Sequence, residues 1–216
     1  MKLQTIKQFP LFPTRHRLRM VWACVRERLR GLDFTMPDRM FDRGRGDGAM
    51  YQISSPRILR ELLASVDPET FPGLLDIGCG KGFVLRTALE AGFSNVGGLE
   101  YDEKMLRICR KNMDRLGISG KVTLYHADAC TFRHYGNYRV FYFFNPFDEA
   151  HMRKVLAQIL EQCQGLEIIL IYYHPRYAHV MEEPGCFTKI RSFHDPEMGY
   201  DACLYRGKAE TPGIFC

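Results

Sequence analysis

The chain has 216 residues, 46% hydrophobic and 25% charged, which suits one sizeable globular core and leaves little room for a second full domain. No apolar run approaches the roughly 20 residues that cross a bilayer. Arg15, Arg17 and Arg19 also interrupt the region where a signal peptide would be continuous, so a cytoplasmic protein is expected. The formal net charge of +5 is concentrated in residues 1–50, which hold 11 Lys and Arg against 5 Asp and Glu; an anionic partner is to be sought there first.

Residues 1–13 carry two prolines and no clear period, and read as an extended arm. From Thr14, a usable N-cap, Leu18, Val21, Trp22, Val25 and Leu29 recur at helical spacing with arginines between them, and Gly31 supplies a stop. Two readings stand for this helix. Its Trp-containing stripe packs on the main domain under a solvated arginine face, or the helix binds nucleic acid or an anionic lipid surface. The segment "FDRGRGDGAMY", Phe41 to Tyr51, is a loop by its charges and glycines. A second helix is predicted after Ser55, with Pro56 in its first turn and Ile58, Leu59, Leu62 and Leu63 facing inward.

From Gly73 the pattern alternates. "LLDI", "NVGGLE", "KVTLYHAD", "YRVFYFFN" and "LEIILIYY" read as strands, and 83–91, 103–116 and 150–162 as helices between them. That alternation predicts an α/β fold, a parallel sheet with helices on both faces. The final runs, "CFTKIRSF" and "GYDACLYR", are separated only by "HDPEM" and should form an antiparallel pair at one edge. Eight scattered cysteines with no C-x-x-C spacing argue for reduced, mostly buried thiols and against zinc, and His174 and His179 read as loop residues.

The informative stretch is "LLDIGCGKG", Leu74 to Gly82, a strand entering a glycine turn. It lacks the first glycine of a triphosphate loop, since position 75 is Leu75. A dinucleotide fingerprint would use Gly78 and Gly80 but needs a third glycine at Phe83. Asp76, just before the turn, is wrong for a pyrophosphate and right for an ammonium group. Glu100 ends the next strand, where a carboxylate accepts ribose hydroxyls. A cationic group followed by a ribose describes S-adenosylmethionine.

On these residues the chain resembles the class I S-adenosylmethionine-dependent methyltransferases over about residues 55–206. "DIGCGKG" matches their D/E-x-G-x-G-x-G turn, "GLEYDE" their ribose acid, and "HADA" the third-strand segment whose acid receives the adenine amino group. The resemblance implies a Rossmann-like seven-stranded, mostly parallel sheet with an antiparallel C-terminal strand pair. It divides the chain into a basic N-terminal extension and cap, 1–54, and a methyltransferase domain, 55–216. S-adenosyl-L-methionine is the implied cofactor, with Tyr51, Asp76, Gly78, Cys79, Gly80, Gly82, Glu100, Tyr101, Asp128, Ala129 and Asn145 as its binding residues and no metal. The three glycines would let the backbone approach the methionyl part, and Tyr101 would lie against the adenine.

For the acceptor, "NPF" at Asn145, Pro146 and Phe147 resembles the N/D-P-P-Y/F/W motif of amino-group methyltransferases, and implies a nitrogen acceptor and a catalytic role for these residues. Only one proline is present, and Asn145 serves equally well as an Asx-turn residue with Phe147 as packing. The chain also resembles a group of uncharacterised bacterial methyltransferases with an "FDR…G" segment and an "NPF" strand end. Asp42, Arg43 and Asp47 are candidate lid contacts, each also readable as a loop salt-bridge or turn residue, and His174 in "YYHP" a candidate base. The acceptor (RNA, protein or small molecule) stays open. A nicotinamide-dependent oxidoreductase and a non-catalytic donor-binding protein are the alternatives.

Overall fold

A computed structural model describes residues 14–35, 53–183 and 187–209, without the side chains of 14–20. The predicted arm 1–13, the loop at 41–51 with Asp42, Arg43, Asp47 and Tyr51, and Cys186 and Cys216 lie outside the described residues. The elements run α1 (Thr14–Leu29), α2 (Pro56–Leu63), β1 (Gly73–Ile77), α3 (Phe83–Glu90), β2 (Asn95–Glu100), α4 (Glu103–Leu116), β3 (Val122–His126), β4 (Val140–Phe144), α5 (Glu149–Gln162), β5 (Glu167–Tyr173), α6 (Ala178–Glu182), β6 (Thr188–Asp195) and β7 (Tyr200–Lys208).

The seven strands form one sheet in the order β3-β2-β1-β4-β5-β7-β6. β1 to β5 pair in parallel, and β7 runs antiparallel to both β5 and β6. The order reverses between β1 and β4, so a cleft opens at their carboxyl ends, where ligands of doubly wound folds bind. Apolar residues that alternate along the central strands feed two cores. Leu74 and Tyr142 meet α2, α3 and α4 on one face, while Leu75, Ile77, Phe141 and Phe143 meet α5 and α6 on the other.

Capping explains where helices begin. Asp102 accepts the N–H groups of Lys104 and Met105 at the start of α4, and Asp148 accepts that of His151 at the start of α5. α4 ends at Gly117 in the left-handed region, as a C-terminal glycine should. α2 buries Ile58, Leu59, Leu62 and Leu63 behind Pro56, as its spacing predicts.

Two expectations are corrected. α1 does not bury its Trp-containing stripe: Trp22 is 71% and Leu29 85% exposed, Val21 and Val25 are half-buried, and Cys24, on the opposite face, points inward. The reason lies after the helix. Glu27 Oε2 accepts both the Phe34 and Thr35 N–H groups and the Thr35 hydroxyl, and Cys24 Sγ meets Thr35 Oγ1 at 3.0 Å. These bonds fold residues 32–35 under the Cys24 face, and Leu32 and Phe34 join the domain core. The second correction is His179, which lies in the short helix α6 beside Glu149 rather than in a loop.

Candidate active site

The glycine turn is held by the strand it leaves and by the strand beside it. The N–H groups of Gly78 and Cys79 both donate to the Leu99 carbonyl, at 2.8 and 3.0 Å. Gly80 N–H donates to Glu100 Oε2 at 2.8 Å, and Asp102 N–H to Glu100 Oε1 at 2.8 Å. Glu100 therefore braces the turn, and each of its oxygens keeps a lone pair for a further donor such as a ribose hydroxyl. Gly78, Gly80 and Gly82 all have positive φ, a conformation side chains resist.

The glycines do not share one role. A β-carbon on Gly78 would meet only Pro146 Cβ, at 3.4 Å, so this exposed glycine faces the cleft. On Gly82 it would strike Cys109 Sγ at 2.6 Å and Met113 Cε at 2.9 Å. Gly82 is thus required by the packing of α4. Cys79 also turns away: its thiol packs on the β2 backbone, where a β-carbon on Gly98 would lie 2.8 Å from the sulfur. Any contact of Cys79 with a ligand is left to its main chain.

Asp76 is the unusual group. It is 3% exposed, and its carboxylate receives no hydrogen bond from any described residue, although a buried acid normally finds a donor. Burial, reinforced by the nearby Glu100 carboxylate, holds its pKa well above the usual range. Glu100 is raised too, chiefly by burial, although the amides of Asp102 and Gly80 oppose the shift. A cationic group beside Asp76 would relieve both effects, whereas a pyrophosphate would add negative charge next to two acids. The residues present fit the amino-acid end of S-adenosylmethionine. At the dinucleotide fingerprint's third-glycine position, Phe83 fills core space edge-on to Phe34.

Further along the cleft, Asp128 is exposed and caps a short turn by accepting the Cys130 N–H at 2.9 Å. Ala129 is buried, its carbonyl taking the Tyr135 hydroxyl at 2.7 Å. Tyr101 follows Glu100 with 57% of its surface exposed at the rim.

On the acceptor side, Phe144 of β4 pairs with Tyr173 of β5, so Asn145 and His174 follow at the same level. Both have positive φ, 39° and 54°, and they are the two non-glycine residues with positive φ among those described. Both follow the carboxyl ends of their strands, the edge where doubly wound folds place ligands. The Tyr172 hydroxyl donates to Asn145 Oδ1 across a long 3.4 Å, and burial pushes that phenol up to about 12, so it stays a donor. The His174 ring stacks on Tyr200 at 3.9 Å and 6°; burial, helped by Arg176, lowers its pKa and favours the neutral imidazole. Pro146 lies against Gly78, and Phe147 packs on the α5-side core.

Sequence reasoning missed the supports. Lys81, 2% exposed inside the turn, donates to Asp33 Oδ1 at 2.8 Å. Asn112 of α4 donates to the carbonyls of both Lys81 and Asp33 and accepts the Asp33 N–H, each at 2.9 Å. The turn is thereby clamped to the segment after α1. Beneath Asp76, the Tyr142 hydroxyl bonds Ser54 and the Tyr173 hydroxyl donates to Asp195. One signal was available: the paired glycines of β2, where a β-carbon on Gly97 would collide with the Tyr138 hydroxyl, mark close approach in a strand.

Residues 74–164 match the family model described as a methyltransferase domain. The ribosomal protein L11 methyltransferase of Edwardsiella ictaluri is 35% identical over 52 residues, 24% of this chain and 18% of that protein. The chain spans about a fifth of the length of the curated relatives it matches. Among solved structures, an RNA methyltransferase from Salinibacter ruber in complex with S-adenosylhomocysteine superposes with a TM-score of 0.54 at 17% identity, covering 76% of this chain and 99% of that one. The mitomycin 7-O-methyltransferase gives 0.56 at 14% identity, covering 69% and 53%. Over residues 74–164 the chain resembles a methyltransferase domain, and it shares its fold with solved methyltransferases.

Proposed function

We infer that the protein transfers a methyl group from S-adenosylmethionine to a nitrogen acceptor. The donor supplies an already activated methyl on a sulfonium, which leaves the chain to bind, orient and deprotonate. The observation that carries the reading is the buried Asp76 carboxylate without a hydrogen bond from any described residue, at the switch point of the sheet. In this reading Asp76 holds the ammonium, Glu100 the ribose hydroxyls, Asp128 and Ala129 the adenine edge, and Tyr101 its face. Tyr51 contributes to the donor's carboxylate, and residues 1–54 cap the 55–216 domain.

The relatives' names span a ribosomal protein, an RNA and an oxygen acceptor, so the acceptor atom is argued from the site itself. With Tyr172 on one lone pair, Asn145 Oδ1 offers the other to an amine N–H. That bond turns the nitrogen lone pair toward the methyl group, in the cleft that Pro146 and Gly78 line together. Phe147 closes the pocket, and a neutral His174 at the neighbouring strand end accepts the proton. The six described cysteines are all free thiols, which supports a reducing, cytoplasmic compartment.

The test is to incubate extract from a deletion strain with the protein and methyl-labelled donor, then divide the label among nucleic acid, protein and small molecules. Label in one fraction, greatly reduced by Asn145→Ala, is expected. Label in none of them, or transfer unaffected by both Asn145→Ala and Asp76→Asn, would overturn the reading.

A further inference from the structure

Helix α1 presents a face that the other described residues leave exposed. Trp22 and Leu29 are exposed on it one heptad apart, and Arg26 lies exposed between them. Arg30 is exposed in the turn that follows. The helix has a single acid, Glu27, and that carboxylate is committed to the Phe34 and Thr35 amides and the Thr35 hydroxyl. The outward charge of this face is therefore positive, with one large aromatic ring among the guanidinium groups.

We propose that this face of α1 binds single-stranded nucleic acid, with the arginines on successive phosphates and Trp22 stacked on an unpaired base. The charge calls for a polyanion, and the ring gives an exposed base a flat apolar partner. A lipid surface fits less well, because a helix lying in a bilayer needs a broad apolar face, and here Arg26 separates the exposed Trp22 from Leu29. The site is tied to the donor turn: Glu27 fixes residues 34 and 35, and Asp33 in the same segment holds Lys81 between the glycines. A strand bound on α1 is thus anchored to the structure that holds the donor. This inference concerns binding alone and stands whether or not methyl transfer is found.

Trp22 is the only tryptophan of the chain, so its fluorescence reports this face directly. Titrating the full-length protein, without methyl donor, with an unlabelled 12-nucleotide RNA and the matching DNA should quench the emission saturably. Trp22→Ala, followed by polarisation of a labelled oligonucleotide, should weaken binding about tenfold. Arg26→Gln combined with Arg30→Gln should flatten the dependence of log affinity on log salt by about 1.4 units. Both variants change exposed residues, and unchanged thermal unfolding would certify their fold. A blue shift with phosphatidylglycerol vesicles and no response to either oligonucleotide would overturn the proposal. So would silence toward all three probes, or oligonucleotide binding that Trp22→Ala leaves intact.

Discussion

Asp76 combines deep burial, a neighbouring acid and no hydrogen bond from any described residue, and this combination decides how the protein should respond to pH. Its pKa in the free protein is raised by burial first and by Glu100 second. The stability it contributes is accordingly complete below the unfolded carboxylate range and is lost as pH rises through the raised folded value. Binding an ammonium reverses the preference, since only the ionised carboxylate pairs with it. S-adenosylhomocysteine affinity should therefore fall as pH drops through that raised value, and binding there should release a proton, seen as a buffer-dependent heat in calorimetry. Asp76→Asn should weaken S-adenosylhomocysteine at least tenfold, the loss expected for one charge-assisted hydrogen bond, and leave the thermal midpoint of the free protein unchanged or higher. A purely structural Asp76 would show the opposite pattern, a lower midpoint and unaltered binding. Asn145 is separable by kinetics. Asn145→Ala should lower kcat by roughly 10²-fold or more while donor affinity stays within about twofold, if Asn145 holds the acceptor amine as proposed rather than the donor.

At the scale of elements, the turn between β1 and α3 packs Gly82 against α4 and leaves Gly78 exposed beside Pro146. Gly82→Ala adds a methyl into Cys109 and Met113 at a positive φ, and should cost about 2–3 kcal/mol in denaturant unfolding. Gly78→Ala meets only Pro146 and should cost about 1 kcal/mol while weakening donor binding more than Gly82→Ala does. The strand and helix pattern was legible from Gly73 onward because burial on both sheet faces writes continuous apolar runs, and the helices carry their caps and periods in order. α4 is an example, framed by Asp102 and Gly117. The orientation of α1 was not legible. Its apolar stripe obeys helical spacing, but a bond network from Glu27 to residues 34 and 35 selects the Cys24 face instead. In the candidate site, the positions of Asp76 and Glu100 beside the turn were legible from spacing alone. Lys81, Asp33 and Asn112 could not, because their contacts join residues 48, 31 and 79 positions apart.

For the whole molecule, residues 32–35 belong to the core rather than hanging from it. Phe34 is fully buried beside Phe83, and Asp33 pairs with a lysine of the donor turn. Asp33→Ala removes a partner of a buried ammonium. It should lower stability by about 2 kcal/mol, below the usual cost for a fully buried pair because Asp33 is itself partly exposed, and the thermal midpoint by several degrees. The same variant should weaken S-adenosylhomocysteine, since the turn loses its clamp; a stability loss with donor affinity intact would show the clamp to be structural only. The fold thus couples its basic helix to the glycine turn through one short segment, and the sheet's switch point gathers the acids of β1 and β2 opposite the ends of β4 and β5.

Calorimetric titration of the purified protein with S-adenosylhomocysteine, with NADH in parallel, addresses the donor pocket most directly. One saturable site for the thioether nucleoside, lost in Asp76→Asn, with no heat from the dinucleotide, is the result expected. Binding of NADH in its place, or nucleoside binding that the Asp76 variant leaves untouched, would contradict the assignment.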